Sequence, residues 1–342
     1  MNDLTPGEGD DSCTVAYFSM EVALDPGMPT YSGGLGVLAG DALRAAADLG
    51  IHMVGVTLLH RQGYFRQHLD ALGNQYESAV IWSPQEFLEP VPGHVTVTVE
   101  GRPVQIAAWR YVVHGVSGHA VPVYFLDTAL PENNSWDRTL TDHLYGGDVR
   151  YRLCQEFVLG VGGVMMLRSL GHSEVHVYHM NEGHSALLIL ALLEELTGDA
   201  DVRVVTGADI DAVRRRCVFT THTPVPAGHD EFQLDLVRRV LGEKRAALLV
   251  GAQCCLNGAL NMTYMGLFFS RYINGVSHRH EKISRTMFPE YPINAITNGV
   301  HAVTWTAPSF CRLYDRYIPE WRQDNLYLRY AISIPLDDIM EA

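Results

Sequence analysis

Ser32-Gly-Gly-Leu-Gly-Val-Leu-Ala-Gly-Asp41 opens a run that ends at Gly50, and its reading decides the fold. Gly33, Gly34 and Gly36 follow a loop carrying Pro26 and Pro29. Leu35, Leu38, Ala42, Ala46 and Leu49 then recur at helical spacing, so a helix begins at the glycines. Glycine there admits positive φ and lets a ligand come close to main-chain N–H groups. At a helix start those groups have no internal partner and the macrodipole is positive, which favours an exposed anion by roughly 0.3–1 kcal/mol. The run reads as an anion cradle. Its spacing is neither that of the dinucleotide fingerprint nor that of the P-loop, and a tight strand-to-helix turn without a ligand accounts for the same residues.

Working outward, the apolar run 15–20 suits a buried strand and 52–59 reads as a second. A β-loop-α-β opening predicts a parallel sheet with the glycine loop at the carboxyl end of its first strand, where α/β sheets bind ligands. Tyr64, Phe65, Arg66 and Gln67 read as a partly buried connection. The alternation in 94–99 and 104–113, about Glu100-Gly-Arg-Pro103, predicts a β-hairpin insertion, and 121–127 another strand. A polar loop at 131–148 is long enough to be functional. The stretch 149–170 reads as one helix; Gly160, Gly162 and Gly163 inside it cost about 1 kcal/mol each relative to alanine, so close helix packing is the expected compensation. Strands are predicted over 175–180, 217–222, 272–276 and 294–300. Helices are predicted over 182–196 and 230–250, the second opened by Asp230 and Gln233 in a capping-box arrangement. At the end, Ser333 caps a short helix start that is unstable alone, so 331–342 are expected to lead into a further domain.

The chain has 342 residues, 47% of them apolar and 19% charged, which suits a compact α/β protein with a polar, disordered leader at 1–12. A net charge of −14 argues against nucleic acid or an anionic membrane as partner, while leaving room for a small anion held by backbone amides. Six cysteines without C-x-x-C spacing read as reduced thiols of a cytoplasmic protein. No apolar run reaches the length of a membrane span.

Among sixteen histidines, His176 and His179 would point to opposite faces of a strand, so a shared metal is not expected. His278 and His280 have strand spacing but no cysteine or carboxylate cluster beside them, and no metal site is predicted. His222 stands apart. It ends an apolar strand and precedes a loop held by Pro224 and Pro226, where α/β enzymes place ligand contacts, although a structural loop-capping role also fits. His184, in Asn181-Glu-Gly-His184, sits at a strand-to-helix junction where capping competes.

Tyr17-Phe-Ser-Met-Glu21, the glycine loop, Leu144-Tyr-Gly-Gly-Asp148, Asn181-Glu-Gly-His184, Thr221-His-Thr-Pro224, Asn274-Gly-Val276 and Thr297-Asn-Gly-Val300 occur in an order that resembles the α-glucan (glycogen, starch, maltodextrin) phosphorylases, most of all their shorter bacterial form. The resemblance implies the amino-terminal Rossmann-like domain of a GT-B fold, spanning 13–330. It implies transfer of a terminal α-1,4-linked glucosyl unit to inorganic phosphate, giving glucose 1-phosphate with retained configuration. It also implies pyridoxal phosphate in the complete enzyme, bound to a lysine of a second domain, its phosphate acting as proton donor and acceptor. Carried over, Gly33, Gly34, Leu35 and Gly36 lie beside the cofactor and substrate phosphates, His222 contacts the glucosyl unit, and Asp148 and Asn274 hydrogen-bond the sugar. Val149 departs from the family, whose long-chain members often carry asparagine there.

Lys244 and Lys282 are the two lysines, each in a charged helical stretch and neither in the family's cofactor motif. The chain is therefore expected to bind no pyridoxal phosphate covalently and to be inactive alone, either a truncated amino-terminal domain or one completed in trans by a carboxyl-terminal half, with apolar surface that favours homo-oligomers. Two alternatives stay open: a nucleotide-sugar-dependent glucan synthase of GT-B type, and a non-catalytic glucan-binding remnant.

Overall fold

The computed structural model describes residues 14–198, 205–225 and 228–342; the expected leader at 1–12 lies outside them. Nine strands build the main sheet: β1 (Thr14–Ser19), β2 (Met53–Leu58), β3 (Glu89–Val99), β4 (Arg102–His114), β5 (Ala120–Asp127), β6 (Val175–Asn181), β7 (Cys217–Thr221), β8 (Tyr272–Gly275) and β9 (Ile293–Ala295). Their order is β9-β8-β7-β6-β1-β2-β5-β4-β3. From β9 to β5 every neighbouring pair is parallel, and β4 and β3 extend that edge antiparallel. The predicted hairpin is thus no separate insertion. It is the rim of the sheet, joined to β5 opposite Val121, Val123 and Phe125, and longer than expected because Glu89, Pro90 and Val91 pair with Arg110, Trp109 and Ala108 of β4.

Alternation assigns the two faces. Ala16, Phe18, Val54 and Val56 turn to one face, under α2 (Val149–Phe157), α3 (Gly163–Ser169) and α4 (Leu188–Thr197). Tyr17, Val123 and Phe125 turn to the other, where α1 (Gly34–Asp48) buries Ala39, Leu43, Ala46 and Ala47. Because both faces are covered, the parallel strands read as continuous apolar runs.

Three expected helices differ in detail. The 149–170 stretch is α2 and α3 joined by a π-turn, Val158–Gly162. A Cβ on Gly160 would lie 2.5 Å from the backbone at Leu187 and Leu188, so the close packing expected there is present. The 230–250 helix is split at Gly242, whose φ of +87° ends Leu234–Leu241 and begins Glu243–Gly251. The residues before it, Glu231–Gln233, pair instead with Ala259–Asn261. Asp230 therefore caps nothing, and its carboxylate takes the Arg152 guanidinium at 2.6 Å. At the end, Ser333 Oγ donates to Tyr330 O rather than capping, and the last helix, Leu336–Glu341, follows Pro335.

Residues 302–342 close around their own small core of Leu313, Ile318, Trp321 and Ile334. Polar bonds strap this unit to α1. His301 N and Trp305 Nε1 donate to Asp41 Oδ2 at 3.1 and 2.7 Å, and the His301 ring meets Asp48 Oδ2 at 2.8 Å. Of the exposed residues in this unit, Leu326, Ile332, Leu336 and Met340 are large and apolar. No helix among the described residues is long and apolar enough to cross a membrane.

Candidate functional site

From β1 the chain moves outward to β2 and β5, then returns to the other side of β1 as β6 and continues to β7, β8 and β9. The order reverses between β1 and β6, and ligand crevices of open α/β sheets form outside the carboxyl ends at such a point. Converging there are 19–21 after β1, Asn181 and Glu182 after β6, His222 after β7, Asn274 and Gly275 in β8, and the glycine turn that starts α1.

His222 is held from two directions. Its ring Nε2 lies 2.6 Å from Asn181 Oδ1, and its backbone N–H donates to Glu182 Oε2 at 2.7 Å. The same carboxylate accepts from Thr223 N and Oγ1, each at 3.0 Å, and from Gly183 N at 3.0 Å. Glu182 is buried and has φ of +76°, a left-handed conformation that is strained for a residue with a side chain and that such a set of bonds can maintain. Burial works to raise its pKa, but His222, His184 and the donated N–H groups outweigh it and leave the carboxylate below its ordinary value. Burial in turn lowers the pKa of His222, with the Glu182 charge opposing. Behind them, His179 bonds Thr220 Oγ1 at 2.8 Å, and burial lowers its pKa to about 4.

Glu21 organises the glycine turn. One carboxylate oxygen accepts from Ser32 N at 2.6 Å and Gly33 N at 3.2 Å, and the other from the Tyr145 hydroxyl at 2.8 Å. Part of the expected anion cradle is thus filled by the protein's own carboxylate, which the sequence reading did not foresee. Gly36 is required by this arrangement: a Cβ there would sit 2.6 Å from Tyr31 Cβ and 2.8 Å from Glu21 Oε2. Gly33 and Gly34 are not. Gly33 has extended backbone at φ −157°, and a Cβ at either position meets nothing within 4 Å. Neither conformation nor internal packing demands glycine there, which is what an approach by something outside the chain would demand.

The other predicted residues divide. Asn274 is buried, accepts from Thr220 Oγ1 at 3.0 Å, and leaves Nδ2 only a long 3.4 Å bond to Gly275 O. Asp148 is exposed and caps α2 by accepting from Tyr151 N at 2.9 Å, leaving Oδ2 uncommitted among the described residues. His184 Nε2 faces Asp230 at 3.4 Å and its ring lies 5.5 Å from that of Tyr145. His278 and His280 stand at the start of helix His278–Met287, not on a strand. Among the described residues no group of three or more His, Cys, Asp or Glu could hold a metal ion. Ser19, Glu21, Tyr145, Asn181 and Glu182 all lie in quoted motifs, yet nothing in their spacing announces that they bond one another across the sheet.

No family model matches the sequence. Glycogen phosphorylase of Mycobacterium tuberculosis is 40% identical over 332 residues, covering 87% of this chain and 38% of that protein. The chain is similar in sequence to the glycogen and maltodextrin phosphorylases. Maltodextrin phosphorylase of Thermococcus litoralis is 35% identical over 354 residues, 96% of this chain and 41% of that protein. Glycogen phosphorylase of Aquifex aeolicus is 32% identical over 329 residues, 90% and 46% respectively. The chain spans less than half the length of these phosphorylases, so the likeness covers nearly all of it and a minority of each of them.

Proposed function

We propose that this chain is the glucan- and phosphate-side lobe of an α-glucan phosphorylase with a GT-B architecture, acting on α-1,4-glucan and phosphate to give glucose 1-phosphate once a carboxyl-terminal half is supplied. The observation that carries the proposal is the series of hydrogen bonds from His222 through Asn181 and Ser19 to the backbone carbonyl of Glu21, the residue whose carboxylate holds the glycine turn, all at the switch point of the sheet. His222 contacts the terminal glucosyl unit, a half-buried imidazole kept neutral by burial and so suited to hydrogen bonding a hydroxyl. Asn274 Nδ2 and Asp148 Oδ2 are the atoms left for further sugar hydroxyls. Gly34 and Leu35, at the start of α1, offer the turn amides that Glu21 does not take.

Pyridoxal phosphate, which the resemblance implies for the complete enzyme, supplies proton transfer through its phosphate when bound. The open space over Gly33 and Gly34 fits the approach of a phosphate. Covalent attachment does not fit this chain: Lys244 and Lys282 are both exposed on helices Glu243–Gly251 and His278–Met287, whereas a Schiff-base lysine is desolvated.

Calorimetric titration with maltoheptaose tests the proposal. The wild-type chain should bind it, and His222→Gln should weaken binding by about tenfold, the equivalent of one lost hydrogen bond. Mixing with the carboxyl-terminal part of a related phosphorylase should restore phosphate-dependent release of glucose 1-phosphate. Absence of maltoheptaose binding by the wild type overturns the reading.

A further inference from the structure

We infer that Ser19 and Asn181 are positioning residues that fix the tautomer of His222, holding the proton on Nε2 and leaving Nδ1 as the ring's acceptor. Three bonds run in line from the ring to the end of β1. Ser19 Oγ lies 2.7 Å from the Glu21 carbonyl, Asn181 Nδ2 lies 3.0 Å from Ser19 Oγ, and His222 Nε2 lies 2.6 Å from Asn181 Oδ1. The direction of the whole series follows from its last member. A backbone carbonyl can only accept, so the single Ser19 hydroxyl proton goes to Glu21 O. Ser19 Oγ then offers only lone pairs to Asn181, which must present its NH₂ side. That places the Asn181 carbonyl oxygen against the imidazole, and the nitrogen facing it must carry a hydrogen. Ser19 and Asn181 are both 0% exposed, so bulk solvent does not compete to reverse the series.

Nδ1 has no hydrogen-bond partner among the described residues, and the backbone of His222 is pinned separately by Glu182. The chain has therefore arranged one ring nitrogen as a fixed donor into the protein and left the other as a lone pair. Toward a sugar, such a nitrogen accepts a hydrogen bond from a hydroxyl, and this use rests on the phosphorylase reading above. The tautomer itself does not. The charged and titratable groups bearing on the ring are Glu182, His280, His184 and His179, none of which bonds Nε2.

The test is ¹⁵N NMR of the whole chain labelled at histidine, with His222→Gln used to assign the His222 signals. The wild type should show His222 as the Nε2–H form above its pKa. Ser19→Ala frees Asn181 to turn its amide, and the ratio of Nε2–H to Nδ1–H should fall by about tenfold, the value of one neutral hydrogen bond. Asn181→Asp keeps an acceptor but adds a charge, so His222 should bind its second proton about tenfold more tightly or better; this variant carries the test if Ser19→Ala does not fold. A wild-type Nδ1–H form, or a ratio and titration unmoved by both variants, overturns the inference. Maltoheptaose titration of the same samples separates the two proposals. If the tautomer responds as stated and the wild type binds no maltoheptaose, the phosphorylase reading fails and the relay stands; if the sugar binds and the tautomer does not respond, the reverse holds.

Discussion

Replacing Glu156 by glutamine should remove a pH dependence of stability that the wild-type chain carries. Glu156 lies in α2, is 0% exposed, and neither carboxylate oxygen meets a donor group. Its neighbour is another carboxylate, Asp230, which is bound by Arg152 at 2.6 Å and faced by His184 Nε2 at 3.4 Å. A fully buried carboxyl beside an arginine-paired, partly exposed carboxylate is favoured in its neutral form. Asp230 has the guanidinium, so Glu156 holds the proton and donates it to Asp230. Burial first, and the Asp230 charge second, push its pKa well above the ordinary 4.5. The sign follows. The folded state binds this proton more tightly than the unfolded chain, so the stabilisation is complete below about pH 4.5 and is lost as pH rises toward the folded-state pKa. Between the unfolded and folded pKa values the limiting slope of this loss is about 1.4 kcal/mol per pH unit. Glutamine offers an N–H to Asp230 at every pH. Urea midpoints of wild type and Glu156→Gln, measured at half-unit steps from pH 4.5 to 7.5, should therefore diverge in favour of the variant as pH rises. Titrating groups remote from this cluster are common to both proteins and cancel in the difference. Parallel profiles would refute the assignment of the proton to Glu156.

Three further outcomes are expected. Gly36→Ala should lower stability by about 1–3 kcal/mol through its clash with Tyr31 and Glu21, while Gly34→Ala, which meets nothing, should stay within about 0.5 kcal/mol; equal urea midpoints would contradict the distinction. Asp41→Ala leaves the His301 and Trp305 donors without their acceptor, which should destabilise by about 1–3 kcal/mol and speed limited proteolysis within 302–342, and an unchanged cleavage pattern would show that the strap does not hold this unit. Ile332 and Met340 are 94% and 79% exposed, so the chain should self-associate and Ile332→Asp with Met340→Lys should reduce it; a monodisperse wild-type monomer by light scattering contradicts this.

Local signals carried most of the architecture. The 15–20 run, the glycines and the 52–59 run predict a parallel β-α-β opening because side-chain alternation and helical periodicity are properties of neighbouring residues. The errors arose where a distant contact outweighed them. Asp230 has the composition of a helix cap, but Arg152 and His184 take its carboxylate and 231–233 join a ribbon instead. The 149–170 stretch has helical periodicity, but the approach of the backbone at Leu187 is met by a π-turn.

Within the candidate site, His222 was legible because it combines a strand end with a proline-held loop. Glu182 and Glu21 were not. Each looks like an ordinary acidic residue after an apolar run, and the strained backbone of Glu182 leaves no mark in residue order.

The sequence by itself determined the sheet class, the helix that starts at the glycines, and the ordered motifs that resemble the phosphorylases, since all of these rest on identity and short-range spacing. Tertiary structure alone decided that Glu21 occupies part of the glycine turn, that Asn181 and Ser19 join His222 to β1, and that Glu156 lies against Asp230. Those pairings span up to 162 residues of chain, and no local rule specifies which strand end will face which.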